Sequence, residues 1–366
     1  MTPPSSKNRD RLRIGLASAA LACSVGVVAT LGGLMPAGGA DSADGPQVLG
    51  TVISRATTTS AIPPGPSSTT VPPSTLPPAT VPPSTLPPAT PPYEPTANEV
   101  QRAAKALGTQ IVQQLTNYGT GSSMASLAAS VTADPERRAA LANDAAALHH
   151  PGQWSRSTID YGQLGGLTAD KTSIMVLVRQ EIGLGDEVQL SESRTVDVRL
   201  ERVEGVWVFD RVADAGGERV ERPVDLSPEA AAVVDDPRIV MADSARWDIY
   251  RGHTSKTLLV LMADLADVTP YAALVLANGH PYHVFETERV SNHSIGRAID
   301  IYRLGDSRVI DDHNPDSLIH EIVSWAFDRE DVGEVGSPWA LDGTGGRSFT
   351  NQVHHDHVHI GVHNLD

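Results

Sequence analysis

From about Thr57 to Pro95 the chain is built of Pro, Thr and Ser, and Val71–Thr80 (VPPSTLPPAT) recurs letter for letter as Val81–Thr90. Such a stretch has too little apolar surface to bury a core, and its prolines favour an extended polyproline conformation rising about 3.1 Å per residue. About forty residues of this kind hold the C-terminal part of the chain on the order of 100 Å from the N-terminal part. No single globule can therefore run through all 366 residues. The stretch reads as a passive stalk that sets a folded cargo at a distance.

The residues before the stalk suggest where the cargo is held. Lys7, Arg9, Arg11 and Arg13 form a basic head (1–13), followed by an uncharged run of 22 residues, Ile14 to Met35. A basic head and an apolar run signal export. The run is longer than most cleaved signal cores and long enough to span a bilayer. The positive-inside rule then keeps the head in the cytoplasm and everything after it outside. The small residues Ala37-Gly38-Gly39-Ala40 would also suit a signal peptidase, and Ala20-Leu21-Ala22-Cys23 is a poor site for lipid attachment. The expected location is extracytoplasmic, membrane-anchored by 14–35 or secreted to the wall, with 36–96 as linker.

Cys23 is the one cysteine. The exported part has no thiol, which excludes disulfides, cysteine nucleophiles and cysteine-ligated metal and leaves His, Asp and Glu as ligands. The formal charge of -16 argues against a nucleic-acid partner, since no basic patch is available to neutralise phosphates. It also opposes electrostatic capture by anionic lipid or wall polymer, so such partners would need a specific cleft.

Two folded regions are expected, both α+β. In 97–223, Val100, Ala103, Ala104, Leu107, Ile111 and Leu115 recur at helical spacing, as do Leu141, Ala145 and Leu148. After Gly165 the pattern changes to strands: Ser173–Val178, the alternating Thr195–Leu200, and Val206–Phe209 after a turn at Glu204-Gly205. Helices and then a curled antiparallel sheet resemble the cone-shaped fold of the cystatin and nuclear-transport-factor superfamily, in pattern only. A spacer or protein-contact module is the expected role. His149-His150 lacks a carboxylate at ligand spacing.

In 225–366, Ser255–Asp267 is apolar at helical spacing, and Ala272–Leu276, Tyr282–Phe285, Ala298–Tyr302 and His357–Val362 read as strands. The first two would be joined by a turn at Asn278-Gly279. Asn314-Pro315 would open a helix whose apolar face runs Leu318, Ile322, Trp325, Ala326. The pattern predicts a small antiparallel sheet with flanking helices and a metal cleft.

The chemistry lies in that second region. His293 and Asp300 stand seven positions apart, and His357-Val358-His359 comes near the C-terminus. Residues two apart on a strand point to one face, so His357 and His359 can address one site while Val358 and Ile360 pack behind. Zn–N bonds of about 2.0–2.1 Å let one of the two ligate and leave the other beside the metal's water. Three protein ligands with a fourth position for water is the pattern of catalytic zinc, able to acidify water and polarise an amide carbonyl. Gly296 and Ala298 are small enough for the backbone to pass tightly between the first two ligands.

Ser291-x-His293-x-x-Gly296-x-Ala298-x-Asp300 resembles in full the first signature of the metallopeptidases that group D-Ala-D-Ala peptidases, lysostaphin and the hedgehog fold, and His357-x-His359 resembles their second. The resemblance covers about 140 residues, from Asp225 on. It implies zinc on His293, Asp300 and His359, with His357 beside the attacking water, and peptidoglycan peptides as substrate. D-Ala-D-Ala carboxypeptidases place a Glu base three residues before the last ligand, where this chain has Asp356; the endopeptidase branches use the first His of the pair. Strand parity turns Asp356 away from His359, so His357 is the expected base and Asp356 the alternative. Arg289 and Arg297, with Ser291, are the candidates to meet substrate. The absence of the carboxypeptidases' Ser-x-Tyr-Arg context favours an endopeptidase. The other outcome is a catalytically inactive, zinc-stabilised wall-binding module. His280, His283, His313, His320 and His363 read as non-ligands, and His354 and His355 as rim residues.

Overall fold

The computed structural model describes residues 86–364, all within one unit, 78–366. The apolar run 14–35 and the stalk through residue 85 lie outside the described residues. The stalk's last residues, from Leu86, are described, and there Thr90 and Pro91 accept from Gln113 and Pro87 accepts from Arg156, so this end of the expected linker packs on the folded part. No helix among the described residues is long and apolar enough to cross a membrane.

Three helices come first: α1 (Arg102–Thr116), α2 (Met124–Val131) and α3 (Pro135–Asp144). The last two carry side-chain N-caps, Ser123 in a capping box and Asp134 followed by proline. Four long strands come next as an antiparallel meander: β1 (Trp154–Leu167), β2 (Lys171–Leu184), β3 (Glu187–Val203) and β4 (Val206–Asp214). Strand alternation divides β2 between two cores. Ile174, Val176 and Val178 pack with Ile111, Val112 and Leu115 of α1, whereas Met175 and Leu177 face the opposite way.

The second half is a mixed sheet crossed by helices. Its elements are α4 (Pro228–Val234), β5 (Ile239–Met241), α5 (Asp243–Tyr250), α6 (Lys256–Val268), β6 (Tyr271–Val275), β7 (Ala298–Leu304), β8 (Ser307–Arg308), α7 (Leu318–Phe327), β9 (Val332–Gly336), β10 (Ser348–Phe349) and β11 (Val358–Val362). The strand order is β10-β9-β11-β7-β6-β5, with β8 against β7. The centre is antiparallel, but β5–β6 and β9–β10 pair parallel, so the sheet is mixed rather than purely antiparallel as expected. Ile299, Ile301, Val358 and Ile360 bury against Leu261 and Met262 of α6 and Ile322 and Val323 of α7.

The opposite face of that sheet meets the first one. Tyr161, Met175 and Leu177 form a common core with Ala272, Leu274, Val275 and Tyr302, and the Tyr161 and Tyr302 rings stack at 5.0 Å. Asp300 and His359 stand directly opposite one another on β7 and β11, on this inner face. The candidate site therefore lies where the two sheets meet.

Several local expectations shift. β1 begins at Trp154, ahead of the expected change at Gly165; its glycines serve close packing, and a Cβ on Gly166 would fall 2.2 Å from Phe285. Tyr282–Phe285 is loop rather than a hairpin strand. Asp248 accepts from the backbone N–H of Ala277 and Asn278, and Asp214 from that of Gly279, which carries the chain away from β6. Phe285 then sits against Gly166 instead of in the second sheet. Asn314-Pro315 forms a turn, and α7 starts three residues later, capped by Ser317. Its buried face is Ile319, Ile322, Val323 and Ala326, while Leu318 is exposed.

Candidate metal centre

His293 sits in a single 3-10 turn (His293–Ile295), after which Gly296 takes φ 71°. Only glycine suits this point. The conformation is left-handed, and a Cβ would lie 1.8 Å from the carbonyl oxygen of His253. The turn brings His293 back over β7, where Asp300 points inward; His359 arrives from β11. All three are buried.

Their ligating atoms converge. His293 Nε2 is 3.1 Å from Asp300 Oδ1 and 3.1 Å from His359 Nδ1, and His359 Nδ1 is 2.9 Å from Asp300 Oδ1. The outer partners orient each ring. His293 Nδ1–H donates to the carbonyl of Leu276 at 2.5 Å, and His359 Nε2–H donates to Glu334 Oε1 at 3.1 Å. The carbonyl behind His293 has no proton to give, so His293 turns its Nε2 lone pair inward; His359 Nδ1 faces the same point and, without a metal, holds a proton toward Asp300. A metal ion there would take the place of that proton. His293, Asp300 and His359 can hold a metal ion.

The electrostatics agree. Burial opposes ionisation of Asp300, but the nearby imidazoles of His293 and His357, with the hydrogen bond from His359, hold its carboxyl well below the usual range. Burial also opposes charge on His359, yet its bonds to Asp300 and Glu334 raise it to about 9. Glu334, half-buried, resists burial through the same His359 bond and that from Asn292 and falls to about 2.

His357 approaches without joining the trio. Its Nδ1–H donates to Asp356 Oδ1 at 2.7 Å, and its Nε2 lies 3.6 Å from Asp300 Oδ2. Asp356, at φ -111° and ψ 1°, breaks the strand just before β11 and turns its carboxylate away from the trio. Burial opposes its ionisation, but Lys105 and His357 keep its pKa low. Asp356 thus stands behind His357 rather than in the cleft.

The cavity in front measures about 290 Å³. His293, Asp300, His357 and His359 line one side; Leu164, Gly165, Gly166 and Met175 of the first sheet line the other, with Phe285 and Phe349. Ser291 lines it and its Oγ accepts from the His293 N–H at 3.2 Å. Arg289 stands at the rim, largely exposed, with Nη1 3.9 Å from Glu334 Oε2. Arg297 does not line it; its backbone ties the His293 turn to the end of β11 through Val362. His354 lines the cavity, and His280 stacks on His293 at 4.1 Å.

Sequence reasoning missed Glu334, Gln163 and Lys105. Gln163 of β1 donates through Nε2 to Asp300 Oδ2 at 2.7 Å. Glu334 is a polar residue on a strand whose neighbour Val335 is fully buried, and Lys105 is a cation on the buried face of α1. A charged or amide side chain inside an apolar pattern was the available signal.

No family model, curated protein or solved structure matches the chain.

Proposed function

We propose that the chain is an extracytoplasmic, zinc-dependent peptidase that hydrolyses peptide bonds of bacterial peptidoglycan, with an endopeptidase favoured over a carboxypeptidase. The observation that carries this reading is the pairing of a three-residue ligand set with a fourth imidazole whose free nitrogen faces the same point. A purely structural metal site has no need of that fourth group, and such sites are closed by their ligands.

Two imidazole nitrogens and a carboxylate oxygen suit zinc. Tetrahedral bonds of about 2.0–2.1 Å put ligand atoms about 3.3 Å apart, close to the separations among His293, Asp300 and His359. Zinc bound there supplies Lewis acidity to the scissile carbonyl and lowers the pKa of water. His357 Nε2, its ring held by Asp356, takes the proton of the attacking water and returns it to the leaving amine. Arg289 at the rim and Ser291 in the wall meet the substrate chain. Glu334 holds His359 in its ligating tautomer, as a carboxylate behind a metal-bound histidine does elsewhere.

The N-terminal basic and apolar segments support placement outside the membrane, and the Pro/Thr stalk supports reach into the wall. The test is mass spectrometry of purified muropeptides after incubation with the zinc-loaded chain, beside H293A. A peptide product absent from the control supports the reading and identifies the bond. Unchanged muropeptides from zinc-loaded protein would refute it.

A further inference from the structure

Asp356 is oriented by the other half of the molecule. Its Oδ1 accepts from His357, but Oδ2 accepts from Lys105 Nζ at 2.5 Å and from the Leu164 backbone N–H at 2.8 Å. Lys105 comes from α1 and Leu164 from β1. The Lys105 ammonium, fully buried, also pairs with Glu99, and the Tyr161 hydroxyl donates to the same Glu99 oxygen at 3.3 Å. Tyr161 offers its ring face to Lys105 at 5.2 Å. A buried cation between two buried carboxylates persists only where the fold supplies fixed partners on every side. Here the four-stranded half supplies them, and its chain of contacts ends at the base.

We propose that Lys105 is a positioning residue for His357: by clamping Asp356 from α1 it fixes the His357 ring with Nδ1–H outward and Nε2 toward the metal centre. The region before residue 214 is then part of the active centre rather than a spacer alone. This inference rests on the peptidase reading for its kinetic consequence but not for its structural one. A ring held by one hydrogen bond to a carboxylate is only as well oriented as that carboxylate. Without Lys105, Asp356 keeps a single backbone donor besides His357, and an unpaired buried carboxylate would turn toward water or take up a proton. Either change frees the imidazole to exchange tautomers, which places a proton on the nitrogen that must accept one.

The experiment compares the zinc-loaded full chain with K105M, using 15N-histidine correlation spectra, zinc content and steady-state kinetics on muropeptides. In the unaltered chain His357 is expected as one tautomer, protonated on Nδ1. K105M is expected to keep one zinc per chain while His357 populates both tautomers, and kcat falls about 10–100-fold with KM within about twofold. If K105M does not fold, the double variant K105M/E99Q carries the test, since it removes one charge of each sign and leaves the buried net charge unchanged. A single Nδ1-protonated tautomer in the folded variant, or an unchanged kcat, overturns the proposal. Should the unaltered chain cleave no muropeptide, the peptidase reading fails, and the His357 spectrum still decides the role of Lys105.

Discussion

Gln163 and Asp300, 137 positions apart, meet across the two sheets through one hydrogen bond of 2.7 Å. The bond fixes one oxygen of Asp300 and thereby turns the other toward His293 and His359. The second carboxylate oxygen would otherwise be a buried acceptor free to rotate. Partners behind a metal ligand are worth about 10–100-fold in affinity. Q163A is therefore expected to weaken zinc binding by that factor, read by competition with a chromophoric chelator. Unchanged affinity would show that the bond contributes no orientation.

His357 and His359 lie two residues apart and are assigned different work. H357A is expected to retain zinc and lose about 10²–10⁴ in kcat, the usual worth of a positioned acid–base group. H359A is expected to lose the metal. Loss of zinc from H357A would make His357 a ligand and move the base elsewhere.

The metal competes with a proton. In the metal-free protein His359 is raised to about 9 by its bonds to Asp300 and Glu334, against the effect of burial. Its folded value lies above the ordinary value of about 6.5, so the charged form adds stability that is full below about pH 6.5 and lost as pH rises through about 9. Zinc must displace that proton, so affinity should climb with pH up to about 9 and release about one proton per ion at pH 7. Calorimetric titration of the metal-free chain in buffers of different ionisation enthalpy measures the release. Zero release would contradict a charged His359.

Gly296 is expected to tolerate no side chain. G296A combines φ 71° with a Cβ 1.8 Å from a carbonyl oxygen. The strain and clash should cost about 2–3 kcal/mol, a fall in Tm of roughly 4–12 °C. A Tm within about 1 °C of the unaltered chain would mean that the turn relaxes freely.

Much of the candidate site was legible because its residues are close in sequence or share strand parity. The spacing of His293, Gly296 and Asp300 encodes a turn into a strand, and His357 and His359 fall on one face by the two-residue period. The partners of those residues were not legible. Lys105, Gln163 and Glu334 join them only after distant elements pack, and nothing local marks a lysine on a helix as the clamp of an aspartate 251 positions away. The same holds for the loop after β6. Asn278-Gly279 has hairpin chemistry, but the carboxylates of half-buried Asp214 and buried Asp248 capture its backbone N–H groups. Tertiary partners outweigh turn propensity there.

The metal content of the purified chain tests the central claim most directly. After dialysis against zinc and then zinc-free buffer, inductively coupled plasma mass spectrometry should find about one zinc per unaltered chain and close to none in D300A, since D300A would remove one of the three proposed ligands and the only carboxylate among them. Equal zinc in the two proteins, or none in either, would contradict a metal centre at His293, Asp300 and His359.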